Sequence, residues 1–285
     1  MGATQAVGRV TELWRYPVKS MQGEQVTSLE LASGGVVGDR AFGLVDAATG
    51  RLLSAKSVPA LFEAQARTVG EPAGGSGGGP GGSVLITLPD GREVGSDDPD
   101  AAAVLSAWLG RDVVLRRSGD ELGDGSIEFE MRPEPDDDGG ELFAWPAREG
   151  TFLDSAPVHV LTTASLATMG AVQTESVWDV RRFRPNLLID TDGIGGFVED
   201  EWIGRAVAFG SSAAVLSVGG ACGRCAMPNR AQPAVVGGSA DRPALPRDIG
   251  VFRALTAEHG NNLGVYADVV TAGRIAVADE ALLRD

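Results

Sequence analysis

The chain has 285 residues, with 39 acidic side chains against 24 basic ones, a formal net charge of −15 and 43% hydrophobic residues. That length suits one large or two medium domains, and the apolar content is enough for packed cores. The acidic balance argues against a nucleic-acid backbone or an anionic membrane as partner, so no nucleic acid and no membrane are expected.

Residues 7–15 form an apolar-rich run closed by Tyr16-Pro17, and residues 26–31 alternate before a Gly34-Gly35 turn. Both read as strands. Residues 41–46 form another, with Asp46 to Gly50 as a hairpin turn into a further strand at 51–55. Two more strands, 62–69 and 83–88, flank a glycine-rich stretch that reads as a flexible loop tip. Residues 98–109 have helical spacing (Ala102, Leu105, Trp108, Leu109), with Asp97 or Asp98 as the cap. Residues 1–117 therefore read as a small, mostly β domain carrying one helix. Residues 118–150, centred on Glu134-Pro-Asp-Asp-Asp-Gly-Gly140, are acidic and poor in apolar side chains, and read as a solvated linker or insertion. Residues 151–285 carry strands at 158–162, 186–190 and 263–270, a strand pair at 206–218, and helices at 165–172 and 246–259. The fold class expected is mainly β with peripheral helices (α+β), in two domains, without internal repeats. No apolar stretch reaches the roughly 18 residues of a membrane-spanning helix. The N-terminus lacks a charged segment followed by an apolar one, so a cytoplasmic protein is expected.

Scarcity is the most informative feature of the chemistry. The chain has two cysteines, two histidines and two lysines (Lys19, Lys56), the other 22 basic residues being arginines. Two cysteines supply neither the four thiolates of an ordinary iron–sulfur cluster nor a disulfide framework. Both lie in Ala221-Cys222-Gly223-Arg224-Cys225. Thioredoxin-type dithiol chemistry wants the first cysteine at a helix N-terminus, but Met227-Pro228-Asn229 and Gln232-Pro233 follow, which is poor helix material. A zinc site with His159 or His259 lacks the usual spacing and a second cysteine pair. A single soft thiolate ligating a metal carried by a cofactor is the third reading, with Arg224 helping to keep the sulfur ionised.

Three turn-rich motifs carry cations: Tyr16-Pro-Val-Lys19-Ser20, Gly38-Asp39-Arg40 and Arg181-Arg182-Phe183-Arg184-Pro185-Asn186. Lys and Arg with Ser and Asn form an inventory for a phosphate and a heteroaromatic edge. Asp154-Ser155 and Phe197-Val-Glu199-Asp200-Glu201-Trp202 supply acids and hydroxyls that could face such a site, where a carboxylate near a metal could relay protons. His159, inside an apolar strand, reads as a core histidine, and His259, near a helix C-terminus, as structural.

In this order the motifs resemble the MOSC family. Tyr16 to Ser20 with Gly38 to Arg40 is similar to the N-terminal β-barrel domain of MOSC proteins. Arg182 to Asn186, Glu199 to Trp202, Cys222 to Cys225 and Leu263-Gly-Val-Tyr266 are similar to the MOSC domain, and the resemblance spans nearly the whole chain. The nearest named group is the amidoxime-reducing component and its bacterial counterparts. The resemblance implies an N-terminal β-barrel-like domain (1–117), an acidic linker or insertion (118–150) and a C-terminal MOSC β-barrel (151–285). It implies a molybdenum cofactor (molybdopterin) between the domains, its metal held by the pterin dithiolene and by Cys225, the second cysteine of the motif. Lys19, Ser20, Arg40, Ser155, Arg184, Asn186 and Tyr266 match cofactor contacts, and Asp200 an acid beside the metal.

The activity so implied is reduction of a small N-hydroxylated or N-oxide-type substrate with electrons from a separate flavin or iron–sulfur protein. The alternatives are a non-catalytic carrier of the cofactor or its sulfur, and a dithiol oxidoreductase. The chain departs from the family's pattern at Met227 to Pro233 and at Leu263. No cysteine follows Cys225, so the ferredoxin module fused to some relatives is not expected, nor is the pyridoxal phosphate of other fused relatives.

Overall fold

The apolar and alternating runs bury their side chains by pairing into sheets, mostly antiparallel ones. The computed structural model describes residues 4–70, 82–118, 127–129, 143–145, 152–210, 212–235 and 241–284. Its strands are β1 (Thr4–Arg15), β2 (Glu24–Val26), β3 (Ser28–Ala32), β4 (Gly35–Val36), β5 (Phe42–Asp46), β6 (Gln65–Val69), β7 (Ser83–Thr87), β8 (Glu93–Gly95) and β9 (Val113–Arg117). They continue with β10 (Ile127–Phe129), β11 (Phe143–Trp145), β12 (Val158–Thr162), β13 (Leu187–Asp190), β14 (Ala206–Phe209), β15 (Val215–Gly223), β16 (Asn262–Thr271), β17 (Gly273–Ala276) and β18 (Glu280–Arg284). The α-helices are α1 (Ala101–Leu109), α2 (Thr163–Val172) and α3 (Ile249–His259). None of them is long and apolar enough to cross a membrane.

The chain divides into two compact units. One comprises Met1–Trp14, Gln25–Val36 and Ala156–Asp285. Seven of its strands run in the order β13-β12-β16-β15-β14-β18-β1, and β1 pairs back onto β13, so the sheet closes into a barrel. Only β12 and β13 run parallel; the other neighbours in the barrel are antiparallel. Val10, Leu13, Val160, Leu187, Ile189, Leu216 and Val265 fill the interior, each at most 2% exposed. Such aliphatic side chains contribute roughly 2 kcal/mol apiece when fully buried. In the pairing of β1 with β18 a bulge lies between Ala6 and Gly8, and Gly8, which also faces β13, has φ +146°. A Cβ there would stand 2.0 Å from the Asp190 carbonyl oxygen, so only glycine lets β1 and β13 meet. A smaller sheet, β17-β3-β4, belongs to the same unit.

The second unit comprises Arg15–Glu24 and Val37–Ser155. β5 pairs antiparallel with β9, and β6, β7 and β8 form a meander. Its interior holds Leu44, Leu52, Phe62, Ala66, Ile86 and Leu105, the last from α1. The turn after β5 forms where expected: Asp46 Oδ1 accepts from the Ala48 and Thr49 backbone N–H groups, and Arg111 grips Oδ2 at 2.6 Å. Burial pushes the Asp46 carboxyl up, but Arg111 and Thr49 outweigh it and hold it at about 2.

Several expectations shift. The strand at 51–55 does not form; Leu52 bridges Val45, and then the chain turns as Ser57 and Val58 donate to the Ser54 carbonyl. The first part of 62–69 is instead a 3₁₀ turn, Pro59–Glu63, because Pro59 starts a tight helix. α1 begins after Asp100, not Asp97 or Asp98, and ends at the left-handed Gly110. Within 118–150, β10 pairs antiparallel with β11, while Glu134 to Gly140 lies outside the described residues. So does most of the glycine-rich stretch after Val69.

Candidate functional site

The thiols occupy the end of β15. Cys222 is its penultimate residue and fully buried, whereas Cys225, just past the strand, is exposed. Arg224 follows the last strand residue, Gly223, and its guanidinium turns back to donate to Cys222 Sγ at 2.8 Å. His159 on β12 and Tyr266 on β16 also hydrogen-bond that sulfur, their rings 5.9 Å apart across a paired position. Burial pushes the Cys222 thiol up, but Arg224 and then His159 outweigh it and bring it down to about 6. The guanidinium bond thus goes to the first cysteine. Arg224 is tied further by its second amino group to the Phe183 carbonyl at 2.8 Å and by its backbone N–H to that of Asn261. Cys225 lies in the electrostatic reach of Arg224 and Arg230. The strand geometry of Cys222 removes the helix N-terminus that thioredoxin-type chemistry needs. No group of three or more His, Cys, Asp and Glu side chains gathers to hold a bare metal ion among the described residues.

The acids come from a 3₁₀ turn, Val198–Trp202. Asp200 Oδ2 lies 2.7 Å from His259 Nε2, and His259 Nδ1 lies 2.9 Å from the Asn262 carbonyl oxygen. Phe197 stacks on the imidazole at 3.6 Å and 5°. Asn262 faces Gly223 in the pairing of β16 with β15, so this pair adjoins the strand end that carries the thiols. Glu199, fully buried, accepts from the Thr162 and Ser165 hydroxyls at 2.6 and 2.7 Å. Burial raises its carboxyl above the usual range, against the pull of those two bonds. Glu199 Oε1 and Asp200 Oδ1 are buried without a hydrogen-bond partner among the described residues.

The arginine motif splits by role. Arg181 makes a bidentate pair with Asp179 and donates to the Pro243 carbonyl. Arg182 is wholly buried and donates to the carbonyls of Val177, Pro228, Arg230 and Pro246. It thereby clamps the segment that follows Cys225. Asn186 is buried, its amide accepting from the His159 N–H at 3.1 Å and donating to the Trp14 carbonyl at 3.3 Å, so it stitches β12 to β1. Arg184 is partly exposed with φ +55°.

In the other unit, Lys19 is buried with Nζ donating to the Phe152 carbonyl at 2.9 Å and to Asp154. Burial lowers the ammonium's pKa against the pull of Asp154. Asp154, half exposed, is pushed up by burial and pulled further down by Lys19, then by Lys56 and Arg40. Three cations thus converge on one carboxylate. Arg40 lies over the Tyr16 ring at 4.3 Å and pairs with Asp39, whose other oxygen accepts from the Tyr16 N–H at 2.8 Å. The Ser20 hydroxyl accepts from the Ala55 N–H at 2.9 Å, and Ser155 is exposed. Six non-glycine residues have positive φ among the described residues: Ser20, Arg40, Arg184, Asp192, Asn261 and Ala278. Three of these are expected cofactor contacts and a fourth, Asn261, holds Arg224. Such strain persists where the surroundings over-determine it, as at ligand clamps.

A closed barrel thus carries a buried polarised thiol and an exposed one at a strand end, beside an acid–imidazole pair. The MOSC N-terminal beta barrel domain matches residues 7–110 and the MOSC domain matches residues 147–281. The chain therefore contains both domains, in that order. Among solved structures, the YUAD protein from Bacillus subtilis is similar at 10% identity, covering 100% of this chain and 99% of that one, with a TM-score of 0.46. YiiM from Geobacillus stearothermophilus is similar at 12% identity over 46% of this chain and 55% of that one, with a TM-score of 0.31. No curated protein matches the chain.

Proposed function

We propose that this protein binds a molybdenum cofactor through Cys225 and reduces small N-hydroxylated or N-oxide-type substrates with electrons from a separate redox protein. The observation that carries the reading is the contrast between the two thiols: Cys222 is buried and committed to Arg224, whereas Cys225 is exposed beside two guanidinium groups. The residues present fit such a group. A soft thiolate suits molybdenum, and no protein cage competes for the role among the described residues. The cluster of Lys19, Lys56 and Arg40 offers cations to a phosphate. Asp200 has a buried oxygen without a partner among the described residues.

When bound, the cofactor supplies two-electron chemistry with transfer of an oxygen atom. The protein's own part is to present the Cys225 sulfur, to fix its backbone through Arg224 and Arg182, and to hold protons at Asp200. Lys19 and Arg40 would bind a phosphate, with Ser20 beside them.

Protein purified from a molybdenum-competent host should carry roughly stoichiometric molybdenum. Cys225→Ala should lose it, and Cys222→Ala should keep it. Wild-type protein without pterin or metal would refute cofactor binding. Metal without turnover of benzamidoxime-like compounds, under a chemical reductant, would leave a cofactor carrier in place of a reductase.

A further inference from the structure

The imidazole of His259 is held on three sides. Its two nitrogens face a carboxylate oxygen of Asp200 at 2.7 Å and a carbonyl oxygen of Asn262 at 2.9 Å, and Phe197 lies flat against its face. A carbonyl oxygen only accepts hydrogen bonds, so Nδ1 must carry a proton. A neutral ring then has a bare Nε2, which could not bond to an ionised carboxylate at 2.7 Å. The two short contacts coexist only if the pair holds one proton more than a neutral imidazole and a carboxylate would. Asp200 Oδ2 is occupied by the ring, while Oδ1 is buried and unpartnered among the described residues. Glu199, next along the same turn and itself buried, is the neighbouring titratable group, and its carboxyl feels the Asp200 charge.

We infer that Asp200 and His259 act as one proton-holding unit beside the Cys225 strand end, with His259 as the positioning residue that keeps a proton in place for Asp200 to deliver. This rests on the reductase reading, in which Asp200 faces the substrate. A two-electron reduction that releases water consumes two protons: one leaves the Asp200–His259 unit and ends on the departing oxygen, the second reaches that oxygen from solvent, and solvent also reprotonates the pair. The stacked Phe197 and the Asn262 carbonyl fix the ring orientation, so that reprotonation returns the same geometry.

The arrangement is open to direct measurement, because the chain has only two histidines. In cofactor-free protein labelled with ¹⁵N-histidine, His259 should show protons on both ring nitrogens, and Asp200→Asn should remove the one on Nε2 while leaving that on Nδ1. A single proton in the wild type, or no response to Asp200→Asn, overturns the pair. In loaded protein, His259→Gln should retain molybdenum, lower kcat by about tenfold to a hundredfold with KM nearly unchanged, and alter the shape of the pH–kcat profile. A loss with an unaltered profile would reduce His259 to a structural residue and refute its part in proton delivery. Wild-type protein that carries molybdenum but reduces nothing would refute the reductase reading, and proton delivery with it. The ¹⁵N measurement would still decide whether the pair exists.

Discussion

Replacing Arg182 by methionine should be the most damaging conservative-volume change at this end of the barrel. Arg182 is among the largest fully buried side chains, and its hydrogen bonds run to four backbone carbonyls rather than to a carboxylate: Val177 at 2.8 Å, Pro228 at 2.9 Å, Arg230 at 3.3 Å and Pro246 at 3.0 Å. Burial lowers the guanidinium's pKa, with Asp248 and Asp179 only partly countering it. Each carbonyl stranded without a donor costs ~1–3 kcal/mol. Pro228 and Arg230 share one amino group, so the Arg230 loss, at 3.3 Å, is the weakest. Removing the cation also removes its desolvation penalty, which offsets part of the total. The net expectation for Arg182→Met is a destabilisation of about 3–5 kcal/mol, and about half that for Arg182→Lys, which keeps the charge without the planar fork.

Two readouts separate stability from site geometry. Urea unfolding followed by tryptophan fluorescence should show the midpoint falling in the order wild type, lysine variant, methionine variant. The rate at which a thiol reagent modifies Cys225 under native conditions should change in step, since Pro228 and Arg230 anchor the segment following it. A methionine variant within about 1 kcal/mol of wild type would refute the claim that four carbonyls depend on this donor.

The other predictions address neighbouring residues. Native protein should expose one reactive thiol, Cys225, with Cys222 modified only on unfolding; fast labelling of both would contradict the burial of Cys222. Because the Cys222 thiol is depressed from 9.0 to about 6 in the folded state, its contribution to stability is fully present above the unfolded value and is lost as pH falls toward about 6. Metal-free wild type should therefore gain stability relative to Cys222→Ala as pH rises from 6 to 9, a difference read from urea midpoints; parallel pH curves would sink the thiolate assignment. Asp46 is depressed from 3.8 to about 2, so its stabilisation is present above pH 3.8 and disappears as pH falls through about 2, a window that Asp46→Asn should flatten in acid unfolding. Gly264 has φ +78°, and a Cβ there would lie 2.5 Å from His159 Nε2 and 2.6 Å from the Val160 carbonyl oxygen. Gly264→Ala should destabilise by roughly 3 kcal/mol or more and disturb the His159 contact to Cys222, visible as a shifted thiolate absorbance.

How much of this was legible follows from the range over which each contact acts. Short apolar runs bounded by turn residues marked the barrel strands 158–162, 206–218 and 263–270, although β12 is buried along its whole length. β17 and β18 were not marked, since the closing role of β18 depends on β1 and β14, which are remote in sequence. The CxxC motif stood out by scarcity alone, since it holds the chain's two cysteines. That Arg224 serves Cys222 could not be read, because the strand ends at Gly223 and the guanidinium has to turn back to reach Sγ. Neither could His259: its carboxylate partner lies 59 positions away, and no local pattern marks it. Nor could the left-handed Ser20, Arg40 and Arg184, because non-glycine residues give no signal of positive φ.

Within the described part of residues 224–248, between β15 and α3, there is one 3₁₀ turn, Met227–Asn229, and otherwise isolated bridges, Gln232 with Leu245 and Val235 with Arg242. Repeating backbone hydrogen bonds cannot fix such a segment, so its carbonyls need donors from elsewhere. Arginines supply them: Arg182 reaches the carbonyls of Pro228, Arg230 and Pro246, and Arg181 reaches that of Pro243. Lysine, with a compact ammonium, could not span several carbonyls in this way. The excess of 22 arginines over two lysines thus has a local use, in which guanidinium groups substitute for a sheet around the residues that carry the chemistry.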